Sequence, residues 1–294
     1  MARKVAIVTG GGRGIGRAHA LALAGRGYAV VVNDLGVSLE GQRTAELPAE
    51  QVAAEIVGRG GEATSSHLDV GDWDCAGELV ATAVERYGQL DVLINNAGIV
   101  RDIVLCNLDA YTLDAVIRVH LRATIATSHF AAVHWRERHQ ADGPVGGRLI
   151  NTTSASAFWG NPGQANYTEA KGSIVAFTLT ASRELARYGV TANVIAPGAP
   201  SSRMLASILD VDRMAALDPS YIARIAAWLC TDDAAGVTGR ILSVCGERVQ
   251  VIQGWEAGPW ADVPAHVAVD DLSSILPRLI AGARANTPPA TTSS

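Results

Sequence analysis

The sequence predicts an α/β fold, a doubly wound parallel sheet with helices on both faces. Three observations carry this reading. Short apolar runs alternate with longer helix-period segments from residue 5 to about residue 196. The runs are continuously apolar rather than alternating, the pattern of strands buried on both faces. A glycine cluster follows the first run and opens a helix, as the first turn of a dinucleotide-binding unit requires.

In chain order, the first strand is the run at 5–9, entered directly from Met1-Ala2-Arg3-Lys4, which leaves no room for a signal peptide. A helix over 17–25 returns the chain to a second strand at 29–33. The stretch 37–48 reads as a long insertion before a helix at 49–58. A strand at 62–68, a helix at 74–87 and a strand at 92–95 follow. One long helix is predicted over 108–138, then a strand at 148–152, a helix over 166–188 and a strand at 191–196. Parallel strands need such helical crossovers. After Pro197 the pattern loosens, and residues 199–218 read as a substrate flap. A helix at 219–231 and a strand at 239–245 close the fold. Beyond them 248–285 is apolar but weakly periodic, with Trp255 and Trp260 expected to pack on the domain or a neighbouring subunit. The rhythm contains no linker, so residues 1–284 are read as one domain, with a Thr/Pro/Ser-rich, disordered tail at 285–294.

Composition narrows the function. Hydrophobic residues make up 48% and charged residues 18% of the 294, so a core of normal size is feasible. The net charge is −5, and no basic cluster alternates with aromatics, which argues against a nucleic-acid partner. No stretch reads as a membrane span, and a cytoplasmic location is the default expectation. Cys75, Cys106, Cys230 and Cys245 lack C-x-x-C spacing and the histidines show no zinc-ligand pattern, so no metal is expected and the thiols read as free and mostly buried.

Chemistry enters at the glycine turn, Thr9-Gly10-Gly11-Gly12-Arg13-Gly14-Ile15-Gly16. Gly10, Gly12, Gly14 and Gly16 let a backbone approach a pyrophosphate, and Arg13 and Ile15 open the helix whose N–H groups would meet it. Asp34 follows the second strand, 18 residues past Gly16, near the spacing of a carboxylate that holds adenosine ribose hydroxyls. It favours NAD over NADP because a 2′-phosphate would be repelled, while the Arg13 cation is an opposing hint. Asp69-Val70 closes the third strand and would lie beside adenine. Asn95-Asn96-Ala97-Gly98 closes the fourth, where Asn96, Ala97 and Gly98 form a small polar turn able to approach the cofactor ribose.

Of 24 basic residues only two, Lys4 and Lys171, are lysine, and Lys171 stands four residues after Tyr167. With 6 tyrosines in 294 positions, chance gives that spacing about one time in fifty. The i,i+4 spacing puts both groups on one helix face, where an ammonium would lower the phenol pKa toward neutral proton exchange. Ser154 precedes Tyr167 by 13 residues at the end of the fifth strand. Strand ends and helix starts converge at the carboxyl edge of such a sheet, so this hydroxyl can face the phenol.

On these motifs the chain resembles the short-chain dehydrogenase/reductase family to about residue 245. The glycine motif at 9–16, the turn at 95–98, Ser154, Tyr167-x-x-x-Lys171 and Pro197-Gly198 all occur in family order and spacing. The resemblance implies a Rossmann-type fold in which Tyr167 is the general acid/base, Ser154 hydrogen-bonds the substrate oxygen and Lys171 holds the nicotinamide ribose and depresses the Tyr167 pKa. It places Pro197 and Gly198 along the nicotinamide carboxamide. One position departs from the pattern. The helix after the fourth strand ordinarily carries an asparagine that helps hold a relay water, and here stands His120 in Val119-His120-Leu121-Arg122.

His120, the turn at 31–36, the insertion and the segments 160–167 and 196–204 resemble the (3R)-hydroxyacyl-CoA dehydrogenase module of peroxisomal multifunctional enzymes, a 17β-hydroxysteroid dehydrogenase type 4-like group. That resemblance implies NAD-dependent oxidation of a lipid-like substrate, an acyl-CoA or a steroid. A hydroxysteroid dehydrogenase and a 3-oxoacyl carrier-protein reductase are alternatives of the same chemistry. A non-catalytic dinucleotide-sensing scaffold is the alternative of another class, opposed by the presence of Ser154, Tyr167 and Lys171 together. The family commonly pairs subunits through the long helices, which implies a homodimer or homotetramer.

Overall fold

The structure, a computed structural model, describes residues 3–37, 45–198, 218–254, 256–263 and 272–283. Its sheet has eight strands: β1 Val5–Thr9, β2 Ala29–Asn33, β3 Glu62–Ser66, β4 Val92–Asn95, β5 Arg148–Thr152, β6 Thr191–Pro197, β7 Ile241–Cys245 and β8 Arg248–Ile252. Their spatial order is β3-β2-β1-β4-β5-β6-β7-β8. β1 to β7 pair in parallel and β8 returns antiparallel to β7. The winding direction reverses between β1 and β4, so the loops at their carboxyl ends diverge and leave the crevice in which such sheets bind ligands.

Continuously apolar strands supply two cores, one on each face. Ala6, Val8, Val30, Val32, Ile94 and Ile150 pack against Ala20 and Leu23 of α1 (Gly14–Ala24), Val52 and Ile56 of α2 (Pro48–Gly58), and Ile222 and Ala226 of a later helix, Pro219–Leu229. Their immediate neighbours Val5, Ile7, Val31, Leu93 and Leu149 point the other way, onto Leu79 and Val80 of α3 (Trp73–Tyr87) and Trp135 of a helix over Ala123–Asp142. Period-two alternation thus divides the apolar residues between two helix layers. Trp135 is fully buried and satisfies its indole N–H on the Leu90 carbonyl at 2.8 Å.

The predicted helix over 108–138 is not continuous. It begins with α4 (Ala110–Ile117), widens into a π-helical turn at Arg118–Arg122, and resumes as α5 (Ala123–Asp142). Apolar periodicity does not register one extra residue in a turn. α6 (Ser156–Trp159), α7 (Ala165–Glu184) and α8 (Pro219–Leu229) follow. β8 was not expected. Its signal is a two-residue turn, Gly246-Glu247, between Cys245 and Arg248, where Gly246 takes φ +53, followed by the alternation Val249-Gln250-Val251. The thiols are free, but the expectation that most are buried fails: Cys230 is buried, Cys75 is intermediate, and Cys106, within a 3-10 turn at Leu105–Asn107, and Cys245, the last residue of β7, are exposed.

By contacts the chain divides into two compact units, Met1–Ile252 and Gln253–Ser294. The second contributes α9 (Leu272–Ala281), which carries Pro277 inside it. The expected flap at 199–218 lies outside the described residues except for Asp218, as do Trp255 and the tail at 285–294. Trp260 is exposed.

Buried titratable groups make stability depend on pH. His19 on α1 is 1% exposed, and burial lowers its pKa from 6.5 to about 4. The unfolded chain therefore binds a proton below pH 6.5 that the folded chain refuses until about pH 4, and stability falls as pH drops through that window. His19→Leu is expected to recover on the order of 3 kcal/mol of the loss at pH 4 relative to pH 7. Urea midpoints of both proteins across this range check it; equal pH slopes would show that His19 titrates normally.

Candidate active site

The β1–α1 turn is built by close backbone approach. Gly10 has φ +61 and Gly14 φ +51, conformations that favour glycine. A Cβ on Gly16 would stand 1.9 Å from the Gly10 carbonyl oxygen and 2.6 Å from Asn96 Nδ2. Asn96 ties this turn to the end of β4 by donating to the Thr9 and Gly10 carbonyls at 3.1 and 3.3 Å. Thr9 Oγ1 in turn accepts from the Asn96 and Ala97 N–H groups at 3.0 and 3.1 Å. The result is a narrow cradle at the N-terminus of α1, where Arg13 is the cap residue in extended conformation without a side-chain cap and Ile15 packs on the core beneath. Its free N–H groups and helix dipole suit a pyrophosphate.

Asp34 sits beside that cradle. Its Oδ2 accepts from the Gly12 N–H at 3.0 Å and its Oδ1 from the Gly36 N–H at 2.9 Å. Arg13 reaches away, to Glu46 at 2.5 Å and to the Val37 carbonyl at 3.2 Å. Asp69, expected near adenine, caps Gly71 through one oxygen at 3.0 Å and pairs with Arg118 through the other at 2.7 Å; Val70 next to it is buried in the core. Arg118 has no counterpart among the residues singled out from the sequence. Its position on the π turn, 49 residues from Asp69, gives no local signal.

Across the crevice, the catalytic candidates converge. β5 carries the chain to Ser154, whose hydroxyl accepts from the Ser156 N–H at 3.4 Å and lies near enough to the Tyr167 phenol to favour its ionised form, and α7 presents Tyr167 and Lys171 on one face. Lys171 Nζ lies 5.6 Å from the centre of the Tyr167 ring and donates to the Thr152 carbonyl at 2.8 Å. The Lys171 carbonyl accepts from Thr153 Oγ1 at 2.7 Å, locking α7 onto the end of β5. His120 meets the edge of Tyr167 with ring centres 5.2 Å apart and planes at 89°. Gly98 permits this, because a Cβ there would be 2.4 Å from His120 Cε1. Pro197 ends β6, next to β5, and the Gly198 N–H donates to the Val244 carbonyl at 2.6 Å.

Burial dominates the electrostatics. Lys171 is 3% exposed, and desolvation lowers its pKa from 10.5 to about 7. Burial raises the Tyr167 phenol, its hydrogen bond with Ser154 pulls it down, and the negative charge of Asp102 pushes it up. The expected depression of this phenol by Lys171 is therefore not met: the ammonium is directed to the Thr152 carbonyl, and desolvation prevails. Burial also lowers His120 to about 3, helped by the Lys171 charge, so its imidazole is neutral. Nε2 lies 2.6 Å from the Ile99 carbonyl and 3.0 Å from the Ile99 N–H, contacts that call for opposite tautomers, while Nδ1 is buried without a partner among the described residues.

Two further groups shape the site without a motif of their own. Asn166 donates to the Arg101 carbonyl at 3.0 Å, and Gln164 donates to Asp102 at 2.9 Å, so the loop after β4 is held against the approach to Tyr167. Beneath the site Asn95 donates to Asn151 at 2.9 Å and accepts from Thr127 at 2.7 Å, while Asn151 donates to Thr178 at 2.8 Å. This ladder joins β4, β5, α5 and α7.

The glycine cradle, the Asp34 carboxylate and the Tyr167–Lys171 face could together hold a nicotinamide dinucleotide. Known proteins agree with this architecture. The family model for short chain dehydrogenase matches residues 4–212. The chain is 39% identical over 257 residues to hydroxyacyl-CoA dehydrogenase ChsB1 of Mycobacterium tuberculosis, covering 85% of this chain and 79% of that one. It is 37% identical over 253 residues to the peroxisomal hydratase-dehydrogenase-epimerase of Neurospora crassa, covering 86% of this chain but only 27% of that longer protein. A crystal structure of a short chain dehydrogenase from Mycobacterium avium superposes with a TM-score of 0.88 at 43% identity, covering 97% of each chain.

Proposed function

The chain belongs to the short-chain dehydrogenase family and is an oxidoreductase acting on CH–OH groups, and from that premise we propose that it oxidises a 3-hydroxyacyl-CoA to the 3-oxoacyl-CoA with NAD. The observation that carries the chemistry is the convergence of Ser154, Tyr167, Lys171 and His120 at the carboxyl end of β5, with Lys171 and His120 buried and Ser154 and Tyr167 partly exposed. Bound NAD supplies the hydride acceptor. Ser154 donates a hydrogen bond to the substrate oxygen and fixes it beside the phenol. Tyr167, as phenolate, takes the hydroxyl proton as the carbonyl forms, and in the reverse direction returns it. Lys171 binds the nicotinamide ribose from the floor of the site. His120, whose buried Nδ1 has no partner among the described residues and whose ring meets the edge of Tyr167, is the group placed to hydrogen-bond a relay water. Homology to a hydroxyacyl-CoA dehydrogenase supports the acyl-CoA class. The NAD assignment is supported by Asp34, held by two backbone N–H groups beside Gly12, and by Arg13 being engaged elsewhere.

Steady-state turnover of (3R)-hydroxyacyl-CoAs of graded length with NAD and with NADP tests the proposal. A kcat/KM for NAD exceeding that for NADP by on the order of 100-fold is expected, since a 2′-phosphate would face the Asp34 carboxylate without a paired cation. A preference for NADP, or no turnover at any chain length while a steroid alcohol or a carrier-protein substrate is converted, would sink the corresponding part of the assignment.

A further inference from the structure

The engagement of Arg13 bears on the choice between cofactors, provided that residues 9–16 and Asp34 are the site of NAD. Arg13 directly follows Gly12, whose N–H is bonded to Asp34 at 3.0 Å. One peptide therefore separates the carboxylate assigned to the ribose hydroxyls from a guanidinium of the kind that grips a phosphate bidentately. That guanidinium is committed. One nitrogen pairs with Glu46 and another donates to the Val37 carbonyl, and the side chain is only 23% exposed against 67% for Glu46. Both anchors are set by the turn itself. Gly36, at φ +70, donates to Asp34 and leads into Val37, and Pro48, two residues after Glu46, is lodged against Gly12, where a Cβ would meet Pro48 Cβ at 2.6 Å. His67, the nearby imidazole, bridges the Asp34 carbonyl and Glu50 at 3.2 Å each.

We infer that Glu46 is a specificity-determining positioning residue: by holding Arg13 in an ion pair, it withholds from the adenosine ribose the cation that a 2′-phosphate would need. Discrimination is then divided between two carboxylates. Asp34 repels the extra phosphate, and Glu46 occupies the group that would otherwise compensate. Glu46 would act through Arg13 rather than on the nucleotide itself.

Isothermal titration of the full chain with adenosine 5′-monophosphate and with 2′,5′-ADP separates the two carboxylates without relying on turnover. Glu46→Gln is expected to tighten 2′,5′-ADP roughly 3- to 10-fold, the size of one exposed, hydrogen-bonded charge pair, with less than about a 2-fold change for the monophosphate. Adding Arg13→Ala to Glu46→Gln should abolish the gain, and Glu46→Asp should keep the parent selectivity. An unchanged ratio in Glu46→Gln, or a gain that survives Arg13→Ala, overturns the role of Glu46 while leaving the NAD reading in place. Tighter binding of 2′,5′-ADP than of the monophosphate by the parent protein overturns both. Glu46 is mostly exposed and the amide is isosteric, so melting temperatures equal to the parent's confirm that each ratio reports binding.

Discussion

Tyr167→Phe is expected to lower kcat for alcohol oxidation roughly 100- to 10,000-fold, the usual contribution of a positioned acid/base, while NAD affinity moves by no more than about 3-fold. The substitution removes one oxygen and keeps the ring, so the edge contact with His120 and the approach of Lys171 persist. The pH profile adds a second signature. Burial holds the phenol above its ordinary value of 10.0, so the phenolate that accepts the substrate proton becomes more populated as pH rises through the measurable range. Oxidation by the parent protein should therefore climb with pH between 7 and 10, whereas reduction, which uses the protonated phenol, should not need that climb. Steady-state kinetics in both directions measure this. Parent-like turnover in the phenylalanine variant would show that another group carries the proton.

Gly16→Ala should abolish dinucleotide binding and destabilise the fold by about 1 to 3 kcal/mol or somewhat more, the cost of overpacking a tight site. The added methyl would be placed 1.9 Å from the Gly10 carbonyl oxygen, and that neighbour is backbone. Relief would require Gly10 to move, which breaks its hydrogen bond with Asn96 and opens the cradle. Gly58→Ala provides the internal comparison. Gly58 ends α2 with nothing within 4 Å of an added Cβ, so that variant should be neutral or gain up to about 1 kcal/mol. Urea midpoints and NADH titration of the two variants distinguish them; parent-like binding by Gly16→Ala would mean that the β1–α1 turn is not the pyrophosphate cradle.

Much of this architecture is legible in the residues because the governing interactions are local. The strands at 5–9, 29–33, 92–95 and 148–152 have the predicted bounds, since continuous apolar runs bounded by polar turns leave little choice. The third strand ends earlier than expected, at Ser66, and α7 gives way at Glu184 to a short 3-10 turn at Ala186–Tyr188. Ser154, Tyr167 and Lys171 are readable because one helix face and one strand end bring them together. What escapes depends on contacts between distant segments. Arg13 looks like a cation available to a phosphate, and only its meeting with Glu46, 33 residues on, shows it engaged. Arg118 carries no motif until the fold brings it to Asp69. The phenol is expected to be depressed by its lysine, but spacing along a helix says nothing about burial, and burial reverses the sign.

The Asn95–Asn151 pair has a consequence for how the two halves of the sheet find each other. β4 and β5 meet with these residues directly opposite, each side-chain amide satisfied by the other and by a threonine from the overlying helices. A slip of one residue would turn β5's asparagine to the opposite face and bury unpaired amides at about 1–3 kcal/mol each. Valine and isoleucine neighbours would tolerate such a slip far better, since one aliphatic contact resembles another. The ladder thus acts as a registration mark within an otherwise interchangeable apolar surface, and misaligned pairings of the central strands are disfavoured.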